Sequence, residues 1–176
     1  DGSLDTTFNP GADRWVYAAA LQADGKIVVG GEFQTLGGQS REYLGRLHPD
    51  GSLDTTFDPQ PDDPVRCLTL QADGKLLVGG SFNGLGEQRR VCMARLNPDG
   101  SLDPAFNPRA EYNDDNQASV TTLSLQPDGK ILVAGFFQWL NGERRLYLGR
   151  LHPDGSLDFA FNPRPDARAL DVAVQP

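Results

Sequence analysis

His48-Pro49-Asp50-Gly51-Ser52-Leu53-Asp54-Thr55-Thr56-Phe57-Asp58-Pro59 decides how this chain folds. Proline presets φ for the first central position of a type I turn, and Gly51 accepts the left-handed position that follows. The segment therefore predicts a three-residue hairpin loop closed by a glycine bulge. In that register Leu47 faces Leu53 and Arg46 faces Asp54. A two-residue loop would send the arginine and the aspartate to opposite faces. The string Asp-Gly-Ser-Leu-Asp starts again at Asp1, Asp99 and Asp154, each time followed by Phe and Pro (Phe8/Pro10, Phe106/Pro108, Phe161/Pro163). The same register pairs Arg95 with Asp103 and Arg150 with Asp158, so a cross-strand ion pair is expected in each copy.

Outward from the turn, a second string, Leu-Gln-x-Asp-Gly-Lys, begins at Leu21, Leu70 and Leu125. The first two intervals between copies of the first string are 49 residues and the third is 55; the six extra residues fall between Arg109 and Ser119. Within one unit, apolar runs lie at Val16–Leu21, Lys26–Phe33, Tyr43–Leu47 and Ser52–Phe57. They are rich in β-branched and aromatic residues and are bounded by Gly, Pro, Asp and Asn. No window keeps helical spacing over ten or more residues. Four short strands in a unit of this length predict a propeller blade. The continuous apolar runs Ile27-Val28-Val29 and Leu76-Leu77-Val78 fit blades buried on both faces.

The predicted architecture is all-β: a β-propeller of four-stranded antiparallel blades, with three full blades and a strand at each end in an incomplete ring. Residues 1–13 form the last strand of a preceding blade and 14–62 the first blade. Residues 63–117 form the second blade with its inserted loop, 118–168 the third, and 169–176 the first strand of a further one. Propellers need about four to eight blades. Three blades therefore call for further blades of the same polypeptide or for copies of the chain as partners.

The repeats resemble the bacterial delta-60 repeat family of β-propeller repeats. The resemblance is carried by the Asp-Gly-Ser-Leu-Asp-x-x-Phe-x-Pro strings and by Leu21–Phe33 and Leu70–Phe82. The third copy departs once, with Ala134 where the others have Gly30 and Gly79. The resemblance implies tandem blades in large secreted or surface-associated bacterial proteins and supplies no catalytic residues.

Composition agrees with a non-enzymatic module. The chain has 176 residues, 38% of them hydrophobic, and a net charge of −8. That balance argues against disorder and against nucleic-acid binding. No apolar run reaches the roughly 18 residues that span a bilayer, so no membrane insertion is expected. No cofactor is expected. His48 and His152 stand where Asn97 stands in the second copy, which reads as turn chemistry rather than catalysis. Cys67 and Cys92 are separated by the middle strand of their blade, about 9.5 Å from strand spacing. They are expected as free, largely buried thiols, which weighs mildly against a strongly oxidising location.

Turns between strands one and two and between three and four share one rim of a blade and barely vary between copies. The opposite rim varies (Gln34–Ser40, Asn83–Arg89, Gln138–Arg144) and also holds the insertion. Binding is expected there, to a protein or glycan partner. Trp15, Tyr112, Phe136 and Trp139 are aromatic candidates, and Arg89 and Arg144 stand out in a basic series with Arg41, Arg90 and Arg145. In the insertion, Glu111, Asn113, Asp114, Asp115 and Asn116 supply oxygen ligands suited to calcium, without EF-hand spacing. The leading reading is a structural or protein-interaction module. Its rivals are a carbohydrate-binding, adhesive propeller and a self-assembling ring or filament.

Overall fold

A computed structural model describes residues 3, 5–113, 118–169 and 171–174; among them there is no helix. Three antiparallel sheets follow one another along the chain, each with its second strand in the middle. Blade one is built from Val16–Leu21, Ile27–Gly31 and Leu44–Leu47. Blade two uses Val65–Leu70, Leu76–Gly80 and Met93–Leu96. Blade three uses Ser119–Leu125, Ile131–Phe136 and Leu148–Leu151. The ring is open.

The fourth segment of each blade joins through one bridge: Leu47↔Leu53, Leu96↔Leu102 and Leu151↔Leu157. It is shorter than the run Ser52–Phe57 because Asp54 bends the chain at once. Its Oδ1 accepts hydrogen bonds from the Thr56 amide at 3.1 Å and the Thr56 hydroxyl at 2.6 Å. A local side-chain turn of this kind competes with the ladder for backbone groups. The Pro-Asp-Gly loop itself closes with His48 N–H donating to Ser52 O at 2.8 Å and Gly51 at φ 85°.

The third strands also start later than their apolar runs. Tyr43, Cys92 and Tyr147 sit at φ 61°, 64° and 60°. Each is fixed on both sides; for Tyr43 the amide donates to Phe33 O at 3.0 Å, and its carbonyl accepts from Gly31 N–H at 2.9 Å. At Tyr43 and Tyr147 the residues on either side close i→i+2 bonds of 2.6 and 2.7 Å. These are tight γ-turns, a strained conformation for a bulky residue.

The core lies between blades. One apolar cluster joins Val28, Leu44 and Phe57 to Val65, Leu76 and Val78 of blade two. A second joins Leu77, Met93 and Phe106 to Val120, Val133 and Leu151 of blade three. A third covers the outer side of blade one, where Val29, Phe33 and Leu53 pack with Phe8 and Ala12. Phe8, Phe57 and Phe106, each following an Asp-Gly-Ser-Leu-Asp string, thus pack into the three clusters. At Gly30 a Cβ would come within 2.5 Å of Val65 Cγ1, and at Gly79 within 2.9 Å of Val120 Cγ1. The register of the repeat places Ala169 where Val65 and Val120 stand, opposite Ala134. The third junction thus exchanges a glycine and a valine for two alanines.

The two ends of the stack differ. On blade three, Thr122 Oγ1 hydrogen-bonds Asp171 Oδ1 at 3.3 Å, so the last segment lies over that face. On blade one the corresponding strand is bare: Val16 is 47% exposed, whereas its repeat equivalents Val65 and Val120 are 0% exposed.

Candidate functional site

The invariant rim carries the same clamp in each blade. Arg46 Nε and Nη2 each lie 2.9 Å from Asp54 Oδ2, and Lys26 Nζ reaches the same oxygen at 3.0 Å. The guanidinium lies 4.5 Å from the centroid of the Phe57 ring. Its Nη1 donates to Pro98 O in the next blade's turn at 2.6 Å. In blade two, Arg95 Nε meets Asp103 at 2.9 Å, Lys75 meets it at 2.8 Å, and Arg95 Nη1 donates to Pro153 O at 2.7 Å. In blade three, Arg150 Nε meets Asp158 at 2.9 Å and Lys130 meets it at 3.2 Å. Arg150 Nη1 turns back to Gln126 of its own blade at 3.3 Å. The clamp therefore locks each blade internally and staples the first to the second and the second to the third.

Neither string by itself marks the lysines as partners of the clamp. Their signal is a constant separation: Lys26, Lys75 and Lys130 each precede the clamped aspartate by 28 residues.

This electrostatic setting holds the aspartates ionised. Asp103 is lowered to about 2, first by the Lys75 hydrogen bond, then by the Ala105 amide and Arg95, against burial. Asp54 is lowered further: burial pushes it up, but the bonds from Thr56, Lys26 and Arg46 outweigh that. Asp158 is lowered in the same way. A carboxylate whose folded-state pKa lies below its unfolded value adds stability above the unfolded value, near 3.8, and loses it as pH falls toward the folded value. Urea midpoints measured from pH 6 to pH 2 are expected to stay level down to about pH 4 and then fall steeply. A midpoint unchanged at pH 2.5 would contradict the clamp.

The variable rim has its own small sheets. Thr35–Leu36 pairs with Gln39–Ser40, and Gly84–Leu85 pairs with Gln88–Arg89. Trp139–Leu140 pairs with Glu143–Arg144 and with Ala110–Glu111 of the insertion. The first part of the insertion is therefore a strand added to the rim. The aromatic candidates divide between places. Tyr112 stacks on Phe136 at 4.1 Å between centroids, and Phe136 on Tyr147 at 6.4 Å. Trp15 is 71% exposed on the bare side of blade one, beside Tyr17. Trp139 is 36% exposed and borders an open depression of about 510 Å³ with Glu111, Asn113 and Gly142.

Of the oxygen-ligand candidates, Asp114, Asp115 and Asn116 lie outside the described residues. Glu111 is 3.5 Å from Arg109 Nε, and Asn113 takes φ 46°. Among the described residues no three His, Cys, Asp or Glu side chains are grouped to hold a metal ion.

Cys67 and Cys92 are both free. Both point toward blade three: Cys67 Sγ is 3.8 Å from Val120 O, and Cys92 Sγ is 3.3 Å from Ala118 O. Burial pushes each thiol up to about 12. Neither is expected to react with an aromatic disulfide reagent at pH 8 until the chain unfolds, when both should. Rapid labelling of the native chain would contradict the packing of blades two and three.

Tandem sheets stacked face to face, with the core between them and the same clamp in each, define a β-propeller repeat protein. The family model described as a domain of unknown function (DUF5122) β-propeller matches residues 22–57, 71–106 and 126–161, and the chain belongs to that family. No curated protein matches it. Among solved structures it is similar to virginiamycin B lyase from Staphylococcus aureus, at 19% identity and a TM-score of 0.49. That alignment covers 81% of this chain and 40% of the lyase, so the chain spans well under half of that structure's length.

Proposed function

We propose that this chain is a non-catalytic structural and protein-interaction module of a secreted or surface-associated bacterial protein. Its blade faces receive further blades, from the same polypeptide or from another copy. The observation that carries this reading is the exposure of Val16 at a position where both repeat equivalents are sealed by a preceding blade. Leu21 at 67% and Trp15 at 71% exposure extend the same apolar surface. Contiguous apolar exposure of this kind marks an association surface. The repeated Lys, Arg and Asp of the invariant rim are committed to the clamp, and burial holds the thiols protonated, which supports a module without chemistry of its own. The extracellular setting rests on the resemblance of the repeats to delta-60 repeats.

The test is Val16→Asp. The charge is expected to leave the urea midpoint of the isolated chain within about 0.5 kcal/mol, since the site is on the surface. It is expected to abolish concentration-dependent association seen in a sizing column. Unchanged association would overturn the assignment of this face.

A second reading, carbohydrate binding, is favoured by Trp139 at the edge of the rim depression. An exposed indole beside Glu111 and Asn113 suits stacking on a sugar ring with hydrogen bonds at its edge. Trp139→Ala would then remove glycan binding without changing association.

A further inference from the structure

Grooves between successive blades open onto the variable rim, and their charge changes from copy to copy. The groove between blades one and two, about 340 Å³, is lined by Ser40, Arg41, Glu42, Asp58, Gln60 and Pro61. It is neutralised internally, because Arg41 Nη1 is ion-paired with Asp58. The groove between blades two and three has the same volume, about 340 Å³, and is lined by Arg89, Val91, Asn107, Arg109 and Asn141. The register equates these positions one by one. Asn141 N–H donates to Arg109 O at 2.9 Å, as Gly86 N–H donates to Gln60 O at 2.8 Å.

Ser40, Glu42, Asp58 and Gln60 thus become Arg89, Val91, Asn107 and Arg109, around an arginine (Arg41, Arg90) that stays. The third copy makes the same set of changes, to Arg144, Leu146, Asn162 and Arg164 around Arg145. The side chains of the first set carry a net −1, and those of the second and third carry +3 each, in a chain of net charge −8.

Arg90 is the centre of the second set. It is 6% exposed, lies between two groove-lining residues, and occupies the place from which Arg41 meets Asp58. Its Nη1 donates to Arg89 O at 2.7 Å, its Nε has no partner, as in Arg41 and Arg145, and, unlike Arg41, it pairs with no carboxylate among the described residues. Arg109 is 3.5 Å from Glu111, a long contact to a half-buried carboxylate, and Arg89 is exposed. A buried guanidinium without a counter-charge is costly, and two neighbours of like sign add to the cost. An oxyanion relieves it, because guanidinium groups present paired donors in the geometry that sulfate, phosphate and carboxylate groups accept.

We infer that the groove between blades two and three is an oxyanion-binding site. Arg89, Arg109 and Asn107 line it, the buried Arg90 stands beside them at the position of Arg41, and Asn107 puts a neutral amide where Asp58 puts a carboxylate one blade earlier. The site takes a sulfate, phosphate or carboxylate group, free or carried by a larger ligand. The inference stands whether or not the blade faces associate.

The test uses the whole 176-residue chain. Binding of sodium sulfate and of a sulfated disaccharide is measured by calorimetry at constant ionic strength, with thermal midpoints read against sodium chloride. Sulfate is expected to raise the midpoint where chloride does not. Asn107→Asp combined with Asn162→Asp restores the internal carboxylate in both basic copies. That variant is expected to weaken binding at least tenfold while raising the midpoint without sulfate. Tighter binding of the disaccharide than of sulfate assigns the anion to a glycan; equal binding assigns it to a free ion, and both support the site. Binding undiminished in the double variant, or sulfate no better than chloride, would overturn it. Arg89→Gln with Arg109→Gln, both on the groove walls, provides a second variant that leaves the buried arginine in place.

Discussion

Asp54→Ala is expected to cost about 3–5 kcal/mol in a urea titration, a large share of the roughly 5–15 kcal/mol that holds a typical domain folded. The carboxylate is 2% exposed and takes charge from two directions, Arg46 and Lys26. Removing it leaves the Arg46 guanidinium, itself 5% exposed, with a ring face, one carbonyl in the next blade and a long bond to Gln22 Oε1 at 3.4 Å. It also removes the turn that Asp54 makes with Thr56, which ends the fourth segment. Asp54→Asn keeps an acceptor for that turn and should lose about 1–3 kcal/mol. The ordering Ala worse than Asn worse than wild type follows from the geometry. An alanine variant within 1 kcal/mol of wild type would show that the clamp does not hold the blades.

Gly80→Ala is expected to be nearly as damaging, at about 3 kcal/mol, the upper end for overpacking. A Cβ there would overlap the carbonyl oxygen of Pro64, with Val65 Cα at 3.0 Å and the Phe82 ring at 3.1 Å. That carbonyl is not free to move, since it accepts the Ser81 amide at 3.0 Å. The first strand also has its register shift there, between Val65 and Cys67. Gly31 and Gly135 stand in the same relation to the Trp15 and Ser119 carbonyls. Substitution at any of the three should lower the urea midpoint, and blade two should suffer most because it is packed on both faces. A Gly80→Ala midpoint equal to wild type would mean that the bulge relaxes without loss.

Repetition made the fold legible. A turn string that recurs with a fixed phenylalanine and proline sets a hairpin register, and the register places Arg46 against Asp54 before any coordinates are seen. What stayed hidden depends on contacts distant in sequence or on very short elements. Lys26 reaches Asp54 across the third strand of its blade, and neither residue's neighbours hint at it. The rim strands are two residues long and rich in polar residues and glycine, so no alternation can form in them. Tyr43, Cys92 and Tyr147 adopt positive φ with none of the residue types that favour it. Two backbone hydrogen bonds per copy impose that conformation, and local propensity opposes it. The basic grooves were visible only as an arginine series. Their meaning depends on Asp58, which pairs with Arg41, and on Asn107 and Asn162, which stand at its repeat positions.

The central claim of the proposed function is that the bare face of blade one is an association surface in this chain, whether the blade that covers it belongs to another copy or to the same polypeptide. Light scattering behind a sizing column, across a hundredfold range of concentration, tests it most directly. The account predicts a molar mass that rises above the 19.1 kDa of one chain as concentration increases. A uniform 19.1 kDa species at every concentration would contradict it.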